Sequence, residues 1–545
     1  MNWRYFTMIS FLNKTITAII WAILTMIAVF STSTISESQV ETKPLFWIAS
    51  AMEAIQIHQP APVIDDFEQL RKVKLSAAKG EYEAFQIVVQ APPGNLRNIN
   101  VTVSNLQNSN GSAIDKSNIT LYREHYIKLD RPSHPGWAAN PTRGKGWYAD
   151  ALIPFVDPDT GKDIQNAELD AVPFDLAAGA NQPIWVDIFV PQSTAAGEYQ
   201  GKFTIESDRG VAEGKIDLTV WNFTLPVQPS MDSFFDIWEN RGIEAQTLLL
   251  KHRLMSSQRI KYPDQQAAFA RLGVKSVRLP FWSGANYQTC KMNPAPSVTE
   301  LKQAAAQYPS DLLKYVFSVD EIDQCQNLAE PVKQWGQNIH QAGLKHLAVM
   351  KPKPNLYGDV DIWVVNPLMY AEARSEISEV KSQGDDIWFY TGYSTDYSPL
   401  WHLDSSPINF RIAQGWIAQS LDLKGVLIAR ADTWTENPWS EVPIYVQGDT
   451  DYPGIEMFFY PGDKVGLNQV VPSIRLKRLR EGMEDYEYIE ILKKLGYQNW
   501  AMTIVQNVGK NWQDWTKDIN TLDYARQKLG EKIHQVSYKR EQGKG

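Results

Sequence analysis

Between positions 233 and 460, short runs rich in β-branched and aromatic residues recur eight times, with helical or loop segments between them. The runs are 233–238, 276–282, 314–320, 346–351, 360–366, 386–391, 425–430 and 455–460. Buried strands spaced by helical segments build parallel sheets, because a parallel neighbour needs a long crossover. Eight of them are the requirement of a (β/α)8 barrel, in which chemistry gathers at the C-terminal ends of the strands. Most runs do end in polar or aromatic groups: Trp238, Trp282, Asp320 with Glu321, Asn366, Tyr390 and Tyr393, and Asp432 with Trp434. These endings would line one pocket, Tyr390 as a hydroxyl donor and Trp434 as a ring beneath a sugar, or else cap the barrel core.

The third run carries the sharpest signal. Lys314 to Val319 is apolar and β-branched, and it stops abruptly at two carboxylates, Asp320 and Glu321. At a barrel mouth such a pair is suited to acid–base work; on an outer wall it is only a solvated strand end. Strict strand geometry sends neighbouring side chains to opposite faces, so both acids reach one pocket only if the backbone leaves β conformation at Asp320.

Before the barrel, residues 43–228 read differently. Runs such as 84–90, 184–190, 201–206 and 215–221 alternate apolar and polar residues between Gly, Pro, Asn and Ser turns, the pattern of an antiparallel sandwich. Two prolines in 224–230 mark the linker. The expected organisation is a leader at 1–36, a sandwich at 43–228, a barrel at 229–496 and a helical extension at 497–545 that holds Trp500, Trp512 and Trp515.

Within 473–495 the spacing predicts a helix capped by Ser473 and ended by Gly496, with Leu476, Leu479, Met483, Tyr486 and Ile489 as its apolar stripe. Arg478, Arg480, Glu481, Glu484 and Asp485 would pair within three or four residues on a solvated face.

At the N-terminus, Arg4 and Lys14 precede a fifteen-residue apolar run, 16–30, followed by Ser31 and Ser33. A membrane span takes about 20 residues, so a secretory signal peptide is favoured over an uncleaved anchor. The body of the protein is then secreted or periplasmic, with no membrane contact beyond this segment. Oxidising surroundings allow the two cysteines, Cys290 and Cys325, to pair across loops at one end of the barrel.

A net charge of -9 without a basic cluster excludes a nucleic-acid footprint. The 19 Trp, 23 Tyr and 20 Phe suit a glycan partner, whose ring faces stack on aromatic side chains. Neither a phosphate-binding Gly-rich loop nor a paired-cysteine zinc site is present, and the histidines lack ligand spacing, so no cofactor and no metal are expected.

Val319-Asp320-Glu321, Trp434 after the seventh run, Tyr460-Pro461-Gly462 after the eighth, and the string Ser473-Ile-Arg-Leu-Lys-Arg-Leu-Arg-Glu-Gly-Met-Glu-Asp-Tyr-Glu-Tyr488 resemble glycoside hydrolase family 123. Segments 80–88 and 191–201 extend the resemblance to the sandwich, so it covers nearly the whole mature chain. Ile322 and Asp323 stand where the family commonly has Pro after the pair. The resemblance implies a β-N-acetylgalactosaminidase working by substrate-assisted, retaining hydrolysis, in which the acetamido oxygen of the substrate attacks its own anomeric carbon. It implies Glu321 as general acid/base and Asp320 as the residue that orients the acetamido group. A carboxylate neighbour and partial burial would raise the pKa of the acid member, so that it keeps its proton near neutral pH. Two other readings stay open: a polysaccharide-binding protein without chemistry, and a glycosidase using distant carboxylates such as Glu239 or Asp432.

Overall fold

The computed structural model describes residues 45–63, 69–134, 140–238, 241–257, 263–391, 398–541 and 543. The expected leader, Glu239 and Tyr393 lie outside them.

Two packed sheets form the N-terminal unit. One has five strands in the order Leu45–Ser50, Glu81–Gln90, Asn181–Val190, Ile119–Leu129 and Gly146–Pro154. The other has seven, and within it only Lys72–Lys79 against Gly210–Thr224 is parallel. Alternation places Phe85, Ile87, Val186 and Ile188 of the first sheet against Phe203, Ile205, Ile216 and Leu218 of the second, all buried.

The second unit holds a seven-stranded parallel sheet that curls into a nearly closed barrel. Its strands are β1 (Asp232–Phe235), β2 (Ser276–Arg278), β3 (Leu313–Asp320), β4 (Lys345–Val349), β5 (Ile362–Val365), β6 (Asp386–Phe389) and β7 (Gly425–Ile428). They pair in the order β1-β7-β6-β5-β4-β3-β2. Phe234, Tyr315, Phe317, Leu347, Val349, Ile362, Val364, Trp388 and Leu427 fill the interior.

The run at 455–460 is not a barrel strand, which corrects the sequence reading. Phe459–Pro461 pairs antiparallel with Val470–Pro472 in a separate ribbon. Its expected place is closed by β7, which hydrogen-bonds directly to β1. On the other edge of β1, Phe235 donates to Met255 O and accepts from Ser257 N–H, so a short extended segment after the first helix leans on the barrel between β1 and β2.

Helix α1 (Ile474–Lys494) starts where expected, with Ser473 Oγ accepting from Leu476 N–H, and Gly496 ends it in a left-handed turn. Its charged side does not face water. Arg475, Lys477, Arg478, Arg480, Glu481, Glu484, Asp485 and Glu487 are all buried, because the helix is wedged between the five-stranded sheet and a helical segment at 409–420. Arg480 and Glu484 do meet one turn apart, at 4.0 Å, but the other partners come from far along the chain. Arg475 grips Asp150 at 2.7 and 2.8 Å, Lys477 and Arg480 share Asp187, and Arg411 bridges Glu481 and Asp485. Helix α2 (Ile519–Glu541) adds Arg526, which joins Asp485 to Glu81 of the sandwich. Gly482 is needed at the closest approach: a Cβ there would sit 2.6 Å from Arg411 O. The motif around α1 is therefore a clasp between the two units. Trp512 and Trp515 are buried in the same core, whereas Trp500 is exposed.

Candidate active site

Strand β3 brings both acids to one pocket through two backbone departures. Tyr315 and Phe317 point into the barrel, while Val316 and Val319 pack outside it. Perfect alternation would put Val319 inside and Asp320 out. The register against β4 slips between Phe317 and Val319, so Ser318 is an inserted residue that shifts the phase and turns Asp320 inward. Asp320 is still paired with Val349. Glu321 then takes a left-handed backbone with φ +48°, which brings its side chain back to the same pocket. The chain therefore leaves regular β geometry at Ser318 and Glu321, flanking Asp320 rather than at it.

Buried polar groups hold the inserted residue. Ser318 Oγ donates to His346 Nε2 at 2.5 Å, and His346 Nδ1–H donates to Asp359 O at 2.6 Å. Ser283 Oγ donates to Ser318 O at 2.5 Å. Ser283, Ser318 and His346 are fully buried, and burial pushes the imidazole down to about 4, so it stays neutral in one tautomer.

The pocket holds about 150 Å³ at the C-terminal end of the strands. Phe317, Val349 and Leu427 form its floor, and Asp320, Glu321, Tyr390, Thr391 and Glu456 supply its polar groups. Tyr390 donates its hydroxyl to Glu321 Oε1. It also accepts from Asn366 Nδ2 at 3.0 Å, and Asn366 is oriented because its Oδ1 caps the next helix at Met369 N–H. Burial, then the negative charge of Glu321, push the Tyr390 phenol up, so it remains a donor. Protein packed around its carboxyl, then the charge of Glu321, push Asp320 up to about 7 against the opposing pull of Arg278. Water still reaches Asp320 at the open mouth. Two roomier cavities, about 310 and 470 Å³, lie between the sandwich and the helices, away from the strand ends, and their ionic linings belong to the clasp.

The remaining expected residues fall into two groups. Trp282 is exposed, with its ring edge-on to Phe317 at 5.3 Å, so it stands at the rim. Asp432 does not reach the pocket, which corrects its reading as a sugar contact. It is fully buried and is held by Arg241 at 3.0 Å, Arg430 at 3.0 Å and the Trp238 N–H at 3.0 Å. Arg430 in turn covers the exposed Trp238 ring at 3.8 Å, and Arg241 covers Trp434 at 3.7 Å. Trp434 also donates its indole N–H to Phe459 O, so it belongs to the wall beside the mouth rather than its floor. Cys290 and Cys325 form a disulfide that ties the β2 and β3 loops together. Among the described residues no group of three or more His, Cys, Asp or Glu is arranged to hold a metal ion.

Sequence reasoning missed Thr391, Glu456 and Arg278. Glu456 sat inside a run that periodicity made a strand, and Arg278 gave no signal beyond its place at the end of β2.

Family models agree with this architecture. Residues 57–207 match the glycoside hydrolase 123 N-terminal domain, and residues 318–492 match the glycoside hydrolase 123 catalytic domain. No curated protein sequence matches the chain. A family 123 glycoside hydrolase from Clostridium perfringens, solved in a study of glycolipid glycan hydrolysis, superposes with a TM-score of 0.62 at 14% identity. The match covers 91% of this chain and 98% of that one. A Clostridium thermocellum endo-1,4-beta-D-xylanase 10B gives only 0.28, at 10% identity, over 74% of this chain and 91% of that one. A Parabacteroides merdae beta-glucuronidase gives 0.26, at 9% identity, over 74% and 52%.

Proposed function

The chain belongs to glycoside hydrolase family 123, and on that premise we propose that it is a β-N-acetylhexosaminidase, with N-acetyl-β-galactosaminides of glycans or glycoconjugates as favoured substrates. The observation that carries the proposal is the pair of backbone departures at Ser318 and Glu321, which flank Asp320 and give one pocket two adjacent carboxyls from one strand end.

The pair shares one proton near neutral pH, because two neighbouring carboxyls do not ionise independently. In the free pocket Asp320 is the member pushed up to about 7, and Glu321 accepts from Tyr390. An acetamido N–H donating to Asp320 favours its ionised form, which moves the shared proton to Glu321. Glu321 then protonates the glycosidic oxygen as the C1–O bond breaks and the acetamido oxygen bonds to C1, giving an oxazoline-like intermediate. Asp320 stabilises the positive charge that develops on the nitrogen. Water next attacks C1, Glu321 takes its proton, the C1–oxazoline bond opens, and the configuration is retained.

The Cys290–Cys325 bond supports a site of action outside the reducing cytoplasm. The test of the roles uses Glu321→Gln on aryl N-acetyl-β-galactosaminides. Loss of activity should be severe with poor leaving groups and mild with dinitrophenol, which departs without a proton. Full activity of Glu321→Gln on every substrate refutes the assignment.

A further inference from the structure

Across the barrel from β3, a third carboxylate enters the same pocket. Glu456 follows β7, which stands three strands from β3 in one direction and four in the other. It is held in place: Thr433 Oγ1 donates to its Oε2 at 3.0 Å, Thr433 N–H donates to its main-chain oxygen at 2.9 Å, and the chain is bridged at Asp432 and Met457. Thr391 also lines the pocket, and its buried hydroxyl has no hydrogen-bond partner among the described residues.

The placement is directional. With C1 and the C2 acetamido group at Asp320 and Glu321, the sugar edge that remains to face β7 is the one bearing O3, O4 and O6. A carboxyl group there can accept a hydrogen bond, and the donors that sugar edge offers are hydroxyls. Among the described residues the lining contains three carboxyl side chains and no Lys or Arg. An anionic substituent on that edge would be brought against the carboxyl of Glu456 rather than against a described cation of the lining.

Building on the proposed function, we infer that Glu456 reads a free hydroxyl on the sugar edge remote from the acetamido group, and that a sulfate ester at that hydroxyl excludes the substrate. A sulfate-ester hydrolysis must then precede this enzyme on a glycan sulfated at that hydroxyl. The pocket takes a single terminal residue with that edge unmodified.

The test compares wild type and Glu456→Gln on an aryl N-acetyl-β-galactosaminide, its 3-deoxy, 4-deoxy and 6-deoxy analogues, and its 3-, 4- and 6-sulfates. Wild type is expected to turn over the parent, to lose about 10- to 100-fold in kcat/KM on one deoxy analogue, and to leave the ester of that hydroxyl intact. Glu456→Gln is expected to show a similar loss on the parent with little further loss on that same analogue, which is the signature of one shared contact. The substrate analogues act on unaltered protein, so the result does not depend on the variant folding. Activity of Glu456→Gln within about twofold of wild type on the parent overturns the inference, as does turnover of all three sulfates at the parent's rate. If wild type cleaves no N-acetylhexosaminide at all, the functional reading falls and this inference falls with it; the other two outcomes overturn this inference alone.

Discussion

Replacing Ser318 with alanine separates the aim of the acidic pair from its presence. The variant keeps Asp320 and Glu321 but removes the hydroxyl that donates to His346 Nε2 at 2.5 Å inside a fully buried group. Leaving a buried acceptor without its donor costs about 1–3 kcal/mol. In a domain of the barrel's size, each kcal/mol lowers Tm by roughly 2–4 °C. The larger effect falls on catalysis. Ser318 is the inserted residue that sets the phase of Asp320, and a displacement of about 1 Å at a reacting group costs on the order of 100-fold in rate. Steady-state kinetics on an aryl N-acetyl-β-galactosaminide should show kcat down by one to two orders of magnitude with KM changed far less, since the pocket walls remain. Ser473→Ala is the control: it removes the α1 cap, costs about 1 kcal/mol, and lies outside the pocket. Equal kcat for Ser318→Ala and Ser473→Ala, at matched loss of stability, refutes a positioning role for the Ser318 hydroxyl.

Asp320 gives a pH-dependent effect of defined sign. Its pKa is about 7 in the folded protein and near 4 unfolded, so the wild type loses stability as pH rises through that window. Asparagine does not titrate, so the Tm difference between Asp320→Asn and wild type should move in favour of the variant from pH 4 to 7 and level off above; a flat difference contradicts the shift. Asp187→Ala leaves Lys477 and Arg480 buried without their shared acid, a cost of about 3–5 kcal/mol, and should lower Tm by several degrees in a salt-insensitive manner. Reduction of the Cys290–Cys325 bond, which closes a loop of 35 residues, should cost about 3–4 kcal/mol on the chain-entropy account, read as a lower melting midpoint in the presence of reductant.

Much of the architecture was legible because hydrophobic period reports burial directly. The sandwich strands alternate, and seven of the eight barrel runs contain strands at nearly the expected places. The eighth misled because a short apolar run reads alike whether it joins a barrel or an antiparallel ribbon; its partner, Val470–Pro472, decides which. The charged string of α1 misled for a related reason. Local spacing suggested pairs one turn apart, but Asp150, Asp187 and Glu81 lie some 300 to 400 positions upstream and are invisible to a local window. In the pocket, an abrupt acidic end to an apolar strand was a signal that a linear reading detects. The insertion at Ser318 was not, since it is defined by register against β4. Asp432 looked like a ligand-binding acid at a strand end, and only its enclosure by Arg241 and Arg430 makes it an anchor.

Electron withdrawal at the acetamido group reports most directly on whether the substrate supplies the nucleophile. Aryl glycosides carrying N-acetyl, N-fluoroacetyl, N-difluoroacetyl and N-trifluoroacetyl groups differ mainly in the basicity of the amide oxygen that would attack C1. With the acetamido oxygen as nucleophile, kcat/KM falls steeply and monotonically along that series. Equal rates across it, or equal turnover of the plain galactoside, would mean that Asp320 and Glu321 do some other chemistry.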